Sequence, residues 1–397
     1  MMIERGPERR KGPGRRARDA EPPAPQQPPL VTCPHCGSSV PAGEFCGHCG
    51  AHLAVRSARR THAYTAVPTE RVAHLSIITT LFPHLPHRRG GAFRLALAGG
   101  GALVILLAVL HLFAPATAVA VFVLPVLYLM YLYEVEVYES EPWLVVGATM
   151  IAGALLGVSF TSVSGGALSQ LVLTGDRGTS FLLGAIAIPL LAQVLMLAGP
   201  MLLYFARGRF REPLDGLTFG AASALGFTLA GSLTALWPLL DGPLVGTGSS
   251  LDWAVRLTRV GLLVALVNAS TTAVVAAAIW LRRYDRRRSG RPLHSSIAAT
   301  LIVAFGVQVS LGVVAFFVPD LVLEVTILTL AAGGLLLFLR LVIHDALLVE
   351  GAEHEIGPEA PCPECHRLVP TMAFCPACGA ARAAAPKQTR RPAVGSV

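Results

Sequence analysis

The chain has 397 residues, of which 53% are hydrophobic and only 14% charged, and its mean hydropathy is +0.59. A soluble globular protein of this size does not carry so little charge, so composition excludes the soluble classes and predicts a membrane protein. The net charge of +8 comes almost entirely from Arg; Arg clusters beside membrane helices act as topology determinants, and no nucleic-acid partner is expected of them.

In chain order, residues 1–30 ("MMIERGPERRKGPGRRARDAEPPAPQQPPL") combine Arg with Pro, offer no apolar face, and are expected to form a disordered basic tail. No secretory signal is expected, because the first long apolar run begins only at Phe93, and the first membrane helix should serve as its own insertion signal. Residues 31–52 contain "CPHCGSSVPAGEFCGHCGA", with Cys33, Cys36, Cys46 and Cys49 spaced C-x2-C-x9-C-x2-C. Two such knuckles bring four thiolates around one tetrahedral Zn²⁺, so the segment reads as a zinc ribbon. A linker follows over 53–91.

The membrane domain is expected over 92–349. A helix needs about 20 apolar residues to cross the hydrocarbon core. Runs of that kind lie at 93–113, 116–133, 143–163, 180–206, 215–239, 260–281, 295–318 and 321–343. The second and eighth are set off from their neighbours only by Pro115 and by Pro319 with Asp320, so either pair could instead be a re-entrant hairpin. With eight spans, the loops on the amino-terminal side carry nine Arg and those on the other side three: Arg177, Arg256 and Arg259. The positive-inside rule then puts both termini in the cytoplasm. Gly153 with Gly157 and Gly216 with Gly220 have the spacing that lets helix backbones approach closely. Glu324, in the eighth span, is expected near an interface or paired with Arg256 or Arg259.

After a linker at 350–361, residues 362–381 repeat the first ribbon at an offset of 329: "CPECHRLVPTMAFCPACGA", with Cys362, Cys365, Cys375 and Cys378. Pro, Val, Phe and Gly positions coincide as well. Residues 382–397 form a second tail. Two zinc ions per chain are expected, each supplying most of the folding energy of its ribbon. His35, His48 and His366 sit beside the ligands but are not needed when four Cys satisfy the metal. The fold class is therefore all-α: a polytopic bundle of about eight transmembrane helices with two small cytoplasmic zinc ribbons.

Two further stretches carry a family pattern, "EVYESEPW" from Glu136 to Trp143 and "PLLAQVLMLAGPMLLYFARGRFREPLDGLTFGAASALGF" from Pro189 to Phe227. They resemble the PrsW family of intramembrane proteases, relatives of the prenyl-protein endopeptidases. Glu139, Glu141, Pro142 and Trp143 match the family's Asp-x-x-Glu-x-Glu-Pro-Trp, with Glu136 at the aspartate; Asp215, Gly216, Gly220, Gly226 and Phe227 match its later Asp-Gly and Gly-Phe positions. The resemblance also implies Glu-Glu-x-x-Lys, where this chain has Ala192, Gln193 and Met196. It implies an acidic residue and Asn after Phe227, where the chain reads "TLAGS", and a histidine in a later helix. Between Leu112 and Ile343 the sole histidine is His294. Gln193 then reads as the neutral counterpart of a catalytic carboxylate, or as an interhelical hydrogen-bonding group.

The residues agree with that reading independently. Peptide hydrolysis within a membrane needs water activated by carboxylates or by a metal on His, Asp or Glu. The third to seventh spans carry none of these away from their ends; the polar groups at depth are Gln193, Asn268, Gln308 and scattered Ser and Thr. No residue is assigned as catalytic. The leading expectation is an inactive PrsW-like protein of a bacterial inner membrane. It would act as adaptor, substrate-binding module or regulator of another membrane protein, contacting it through helices or ribbons. An active protease using Glu139, Glu141 and His294 is the alternative, and a transporter is the third reading.

Overall fold

The computed structural model describes residues 29–34, 36–53, 91–134, 143–174, 177–206, 210, 213–240, 249–283, 293–352, 356–362 and 365–379. Residues 1–28 of the first tail, the second tail, the first linker over 54–90 and the acidic loop with Glu139 and Glu141 lie outside them; of the second linker only 353–355 do, and its end forms a strand.

Among the described residues, eight helices are long and apolar enough to cross a membrane. They are α1 (Gly91–Val109), α2 (Phe113–Glu134), α3 (Trp143–Thr174), α4 (Arg177–Phe205), α5 (Pro213–Leu240), α6 (Leu251–Leu281), α7 (Ile297–Phe317) and α8 (Leu321–Ala352). Two antiparallel hairpins flank them: β1 (Leu30–Thr32) with β2 (Ser39–Pro41), and β3 (Gly357–Pro361) with β4 (Leu368–Thr371). The predicted all-α membrane bundle with two small cysteine modules is what the chain forms.

The two doubtful spans are full-length. The apolar parts of α2 and α8 contain 21 and 23 residues, which at 1.5 Å per residue reach about 31 and 34 Å. The tight turns suffice because each has its own fastening. His111 turns the chain in the left-handed region (φ 58°), and its ring stacks on Phe113, which in turn stacks on Trp253 at 4.6 Å. Asp320 caps α8, accepting from the Leu323 amide at 2.7 Å. Several helices run beyond their predicted ends: α3 reaches Thr174, the helix of α6 starts at Ser250 rather than near 260, and α8 continues to Ala352. Charge ends an apolar run without ending a helix when it can be exposed or paired. Arg259 and Glu324 are the example, with Arg259 Nη2 and Nε each 2.8 Å from Glu324 Oε1.

The core is built on α5, which has a small-residue face on each side. Toward α3, a Cβ at Gly153, Gly157 or Gly226 would fall onto the carbonyl of Ser223, Phe227 or Met150 respectively, so the two backbones touch. Toward α6, Cβ atoms at Gly216 and Gly220 would come within 2.8 Å of the Ala276 carbonyl and 2.9 Å of Ala273 Cα. Both expected small-residue pairs therefore serve as packing contacts.

Proline shapes α4. Pro189 has no N–H for the Ala185 carbonyl, and the helix is π-wound over Leu182–Ala187, with the Ile188 amide bonding back to Leu183. Gly312 of α7 packs onto that Ala185 carbonyl, where any side chain would collide. At the far end of α4, Arg283 donates to the carbonyls of Tyr204 and Phe210 and lies over the Tyr204 ring at 4.1 Å. A cation there also meets the negative end of the helix dipole.

Candidate functional sites

Gln193 is fully buried in α4. Its place on the helix faces α6 and α7, and the partners come from both. Thr271 Oγ1 donates to Gln193 Oε1 at 2.9 Å, and Gln308 Nε2 donates to the same oxygen at 3.2 Å. Gln193 Nε2 donates to Thr272 Oγ1 at 3.2 Å. Gln308 Nε2 also donates to Asn268 Oδ1 at 2.8 Å, and Asn268 Nδ2 donates to Thr228 Oγ1 of α5 at 2.9 Å. Four helices, α4 to α7, are thus joined by one chain of amides and hydroxyls. Away from water each of these groups needs a partner, and each named atom has one.

Met196 lies one turn further and is buried. Its carbonyl would ordinarily accept from residue 200, but that residue is Pro200; Ser223 Oγ of α5 donates to it instead, at 2.7 Å. Ala192 looks the other way, toward Ala224, Phe227 and Phe160. The three positions of the family motif thus hold an apolar contact, an amide hub and a thioether. None of the network's groups ionises near neutral pH, and none is a general base.

His294 is in a short turn, Leu293–Ser295, just before α7. Gln308 stands about 16 Å along the axis from Ile297, at 1.5 Å per residue, and the His294 backbone lies beyond the start of that helix, so the structure does not bring it to the Gln193 network. Glu139 and Glu141 lie outside the described residues.

The cysteines form two closed sets. In the first, the Sγ atoms of Cys33 and Cys49 are 3.7 Å apart and those of Cys36 and Cys46 3.8 Å apart. In the second, Cys362 and Cys378 are 3.8 Å apart and Cys365 and Cys375 3.9 Å apart. Within each set all four sulfurs lie within 4.8 Å of one another. Four sulfurs at the usual zinc–thiolate bond length on a tetrahedron would be about 3.8 Å apart, so the donor set fits a four-thiolate metal. The turns repeat as well as the ligands. Gly50 and Gly379, at φ 71° and 74°, return their amides to the carbonyls of Cys46 and Cys375 at 2.8 Å. Gly37 (φ 72°) is matched in the second copy by His366 (φ 58°), an exposed side chain rather than a ligand.

Charge in the first set is shared unequally. Hydrogen bonds from Cys46 and Cys49 hold the Cys36 thiol far below its ordinary value, whereas the bond to Cys36 pushes Cys46 up to about 12. In the second set the bond to Cys362 pushes Cys375 up to about 11. In the first set one thiolate is accommodated and the next resisted, which is the balance a cation in the middle would release.

Residues 141–343 match the family model described as PrsW family intramembrane metalloprotease, over half of the chain. The chain belongs to the PrsW family. The match runs from the start of α3 into α8, so it includes the whole Gln193 network and neither cysteine set. No curated protein and no solved structure matches the chain.

Sequence reasoning found Gln193, Asn268 and Gln308 as polar groups at depth but did not join them, and it missed Thr271, Thr272 and Ser223. One signal was available: Pro200 four residues after Met196 announces a carbonyl that needs an outside donor.

Proposed function

We propose that this PrsW-family member does not hydrolyse peptide bonds and serves as a binding or regulatory module for another membrane protein, with a zinc ion in each cysteine set. The observation that carries the reading is the Gln193 network. At the motif position where the resemblance implies a carboxylate, an amide has both oxygen lone pairs occupied by Thr271 and Gln308. A site saturated in this way neither activates water nor leaves donors free for a metal. The bundle also has glycines that its own helices leave open, Gly306 on α7 and Gly333 with Gly334 on α8, with nothing within 4 Å of their Cβ positions, and small residues of this kind let a partner helix approach closely. The Arg bias between loops supports placing both termini, and so both ribbons, in the cytoplasm, a reducing compartment in which thiolates stay available to zinc.

The test is reconstitution into liposomes with a panel of single-span substrates, comparing the wild-type protein with Glu139→Gln, Glu141→Gln and His294→Ala variants. The expected outcome is no cleavage by any of them, with measurable association of at least one substrate by energy transfer. A cleavage product from the wild type that disappears in those variants would establish the active-protease reading instead.

A further inference from the structure

The repeated ribbons are in contact, and the contact is itself repeated. The Phe45 amide donates to the Pro376 carbonyl at 3.0 Å, and the Phe374 amide donates to the Gly47 carbonyl at 2.8 Å. The offset of 329 that relates the two copies converts one bond into the other, since it exchanges Phe45 with Phe374 and Gly47 with Pro376. The two ribbons therefore face each other about a local twofold axis, as two subunits of a dimer do.

The bonds are symmetric but the side chains are not. Gly47 receives Met372, whose sulfur occupies the place a Cβ would take, and a Cβ on Gly43 would lie 2.7 Å from the Pro376 carbonyl oxygen. Under the same offset Gly43 corresponds to Met372 and Gly47 to Pro376. The first ribbon thus supplies both small residues and the second both large ones. Two first ribbons would leave glycine opposite glycine, and two second ribbons would set Met372 against Pro376 twice. Shape alone favours the mixed pair.

The equivalent phenylalanines also differ in task. Phe45 covers Gly379 of the second ribbon, where a Cβ would lie 2.9 Å from its ring. Phe374 is fully buried away from the first ribbon's core, in a cluster with Ile343, Leu339, Leu214 and Leu217 at the adjoining parts of α8 and α5.

We infer that the two ribbons form a metal-dependent clamp: each folds around its own ion, they pair with each other within one chain, and the pair is seated on α5 and α8 through Phe374. The inference rests on the reading of the cysteine sets as metal sites and is independent of whether the bundle is catalytic. Segments this short keep their backbone geometry only with metal bound, so removing it withdraws the two reciprocal bonds and the seat together.

The test uses the full-length protein in detergent, with metal content, native mass and amide exchange measured on the same samples. Gly47→Met should leave two metals per chain yet speed exchange of the Phe45 and Phe374 amides by about tenfold or more. Adding Met372→Gly to Gly47→Met, which exchanges knob and hole, should restore the protection. Separately, a photo-crosslinking amino acid at Leu217 should capture the segment around Phe374 before chelation and not after it. Retained protection in Gly47→Met, failure of the double variant to restore protection, or a crosslink that persists once both metals are gone would each overturn the clamp. A native mass of two chains that falls to one in Gly47→Met would show that the ribbons pair between copies, which would overturn it as well. Loss of metal in Gly47→Met itself moves the test to Gly43→Leu, which lies outside the knuckles and must give the same loss of protection. Metal content below two in the wild type would contradict the metal reading rather than the pairing.

Discussion

Gln193 holds its position because every polar atom it buries is answered. Replacing it with Leu would leave Thr271, Thr272 and Gln308 each one partner short, and hydrogen bonds between membrane helices are worth about 0.6 to 2 kcal/mol. We expect Gln193→Leu to lower the unfolding temperature of the bundle in detergent by several degrees. Gln308→Leu should do the same, and the double variant should cost less than the sum, because the two share one bond. Strict additivity would show that the amides do not form one network. The sequence made Gln193 conspicuous as an amide in an apolar helix, but its partners were not legible. They depend on the depth at which α6 and α7 stand beside α4, which is fixed by packing between helices and leaves no mark in the local pattern. Ser223 differs, since Pro200 removes the donor that Met196 needs and so predicts a helper somewhere.

At the scale of elements, α5 is held between α3 and α6 by backbone approach more than by large side chains. Gly226→Leu sets a side chain into the Met150 carbonyl, and overpacking of this kind costs about 1–3 kcal/mol or more. Gly306 has nothing within 4 Å of its Cβ position, so Gly306→Leu should be tolerated. Yield and unfolding temperature of the two variants check this, and equal behaviour would contradict the α3–α5 crossing. The eight spans were legible because a bilayer demands long apolar runs. Their true ends were not: the sixth run stops at Arg259, while the helix begins as early as Ser250 because Arg259 is paired with Glu324, and the third continues to Thr174 through residues that carry no charge. The π segment in α4 follows from Pro189, but its neighbour Gly312 could be found only in three dimensions.

The whole molecule combines a family bundle with two cysteine modules that the family match does not include. The repeat and its ligands could be read directly from spacing. The pairing of the copies could not, because it is made by backbone groups and by a difference in residue size that has meaning only face to face. Metal binding should be coupled to protons. Cys46 and Cys375 are pushed up to about 12 and about 11 without metal, so at neutral pH they bind metal only by releasing a proton, and acid must weaken the sites. Titration of the metal-free protein with Zn²⁺ in buffers of different ionisation enthalpy should show more than one proton released per metal. A heat independent of buffer would contradict the thiolate assignment.

The central claim is that the metal chemistry of this chain resides in its ribbons, while the membrane bundle holds an alanine, Ala192, and an amide, Gln193, at the two positions where the family resemblance implies carboxylates. It is tested most directly by counting metals in the full-length protein and in Cys36→Ser combined with Cys365→Ser, alongside circular dichroism of the bundle. We predict two zinc ions per chain in the wild type and none in the double variant, with helical content unchanged. A tightly held metal that survives in the double variant would place a metal site among the membrane helices and contradict the account.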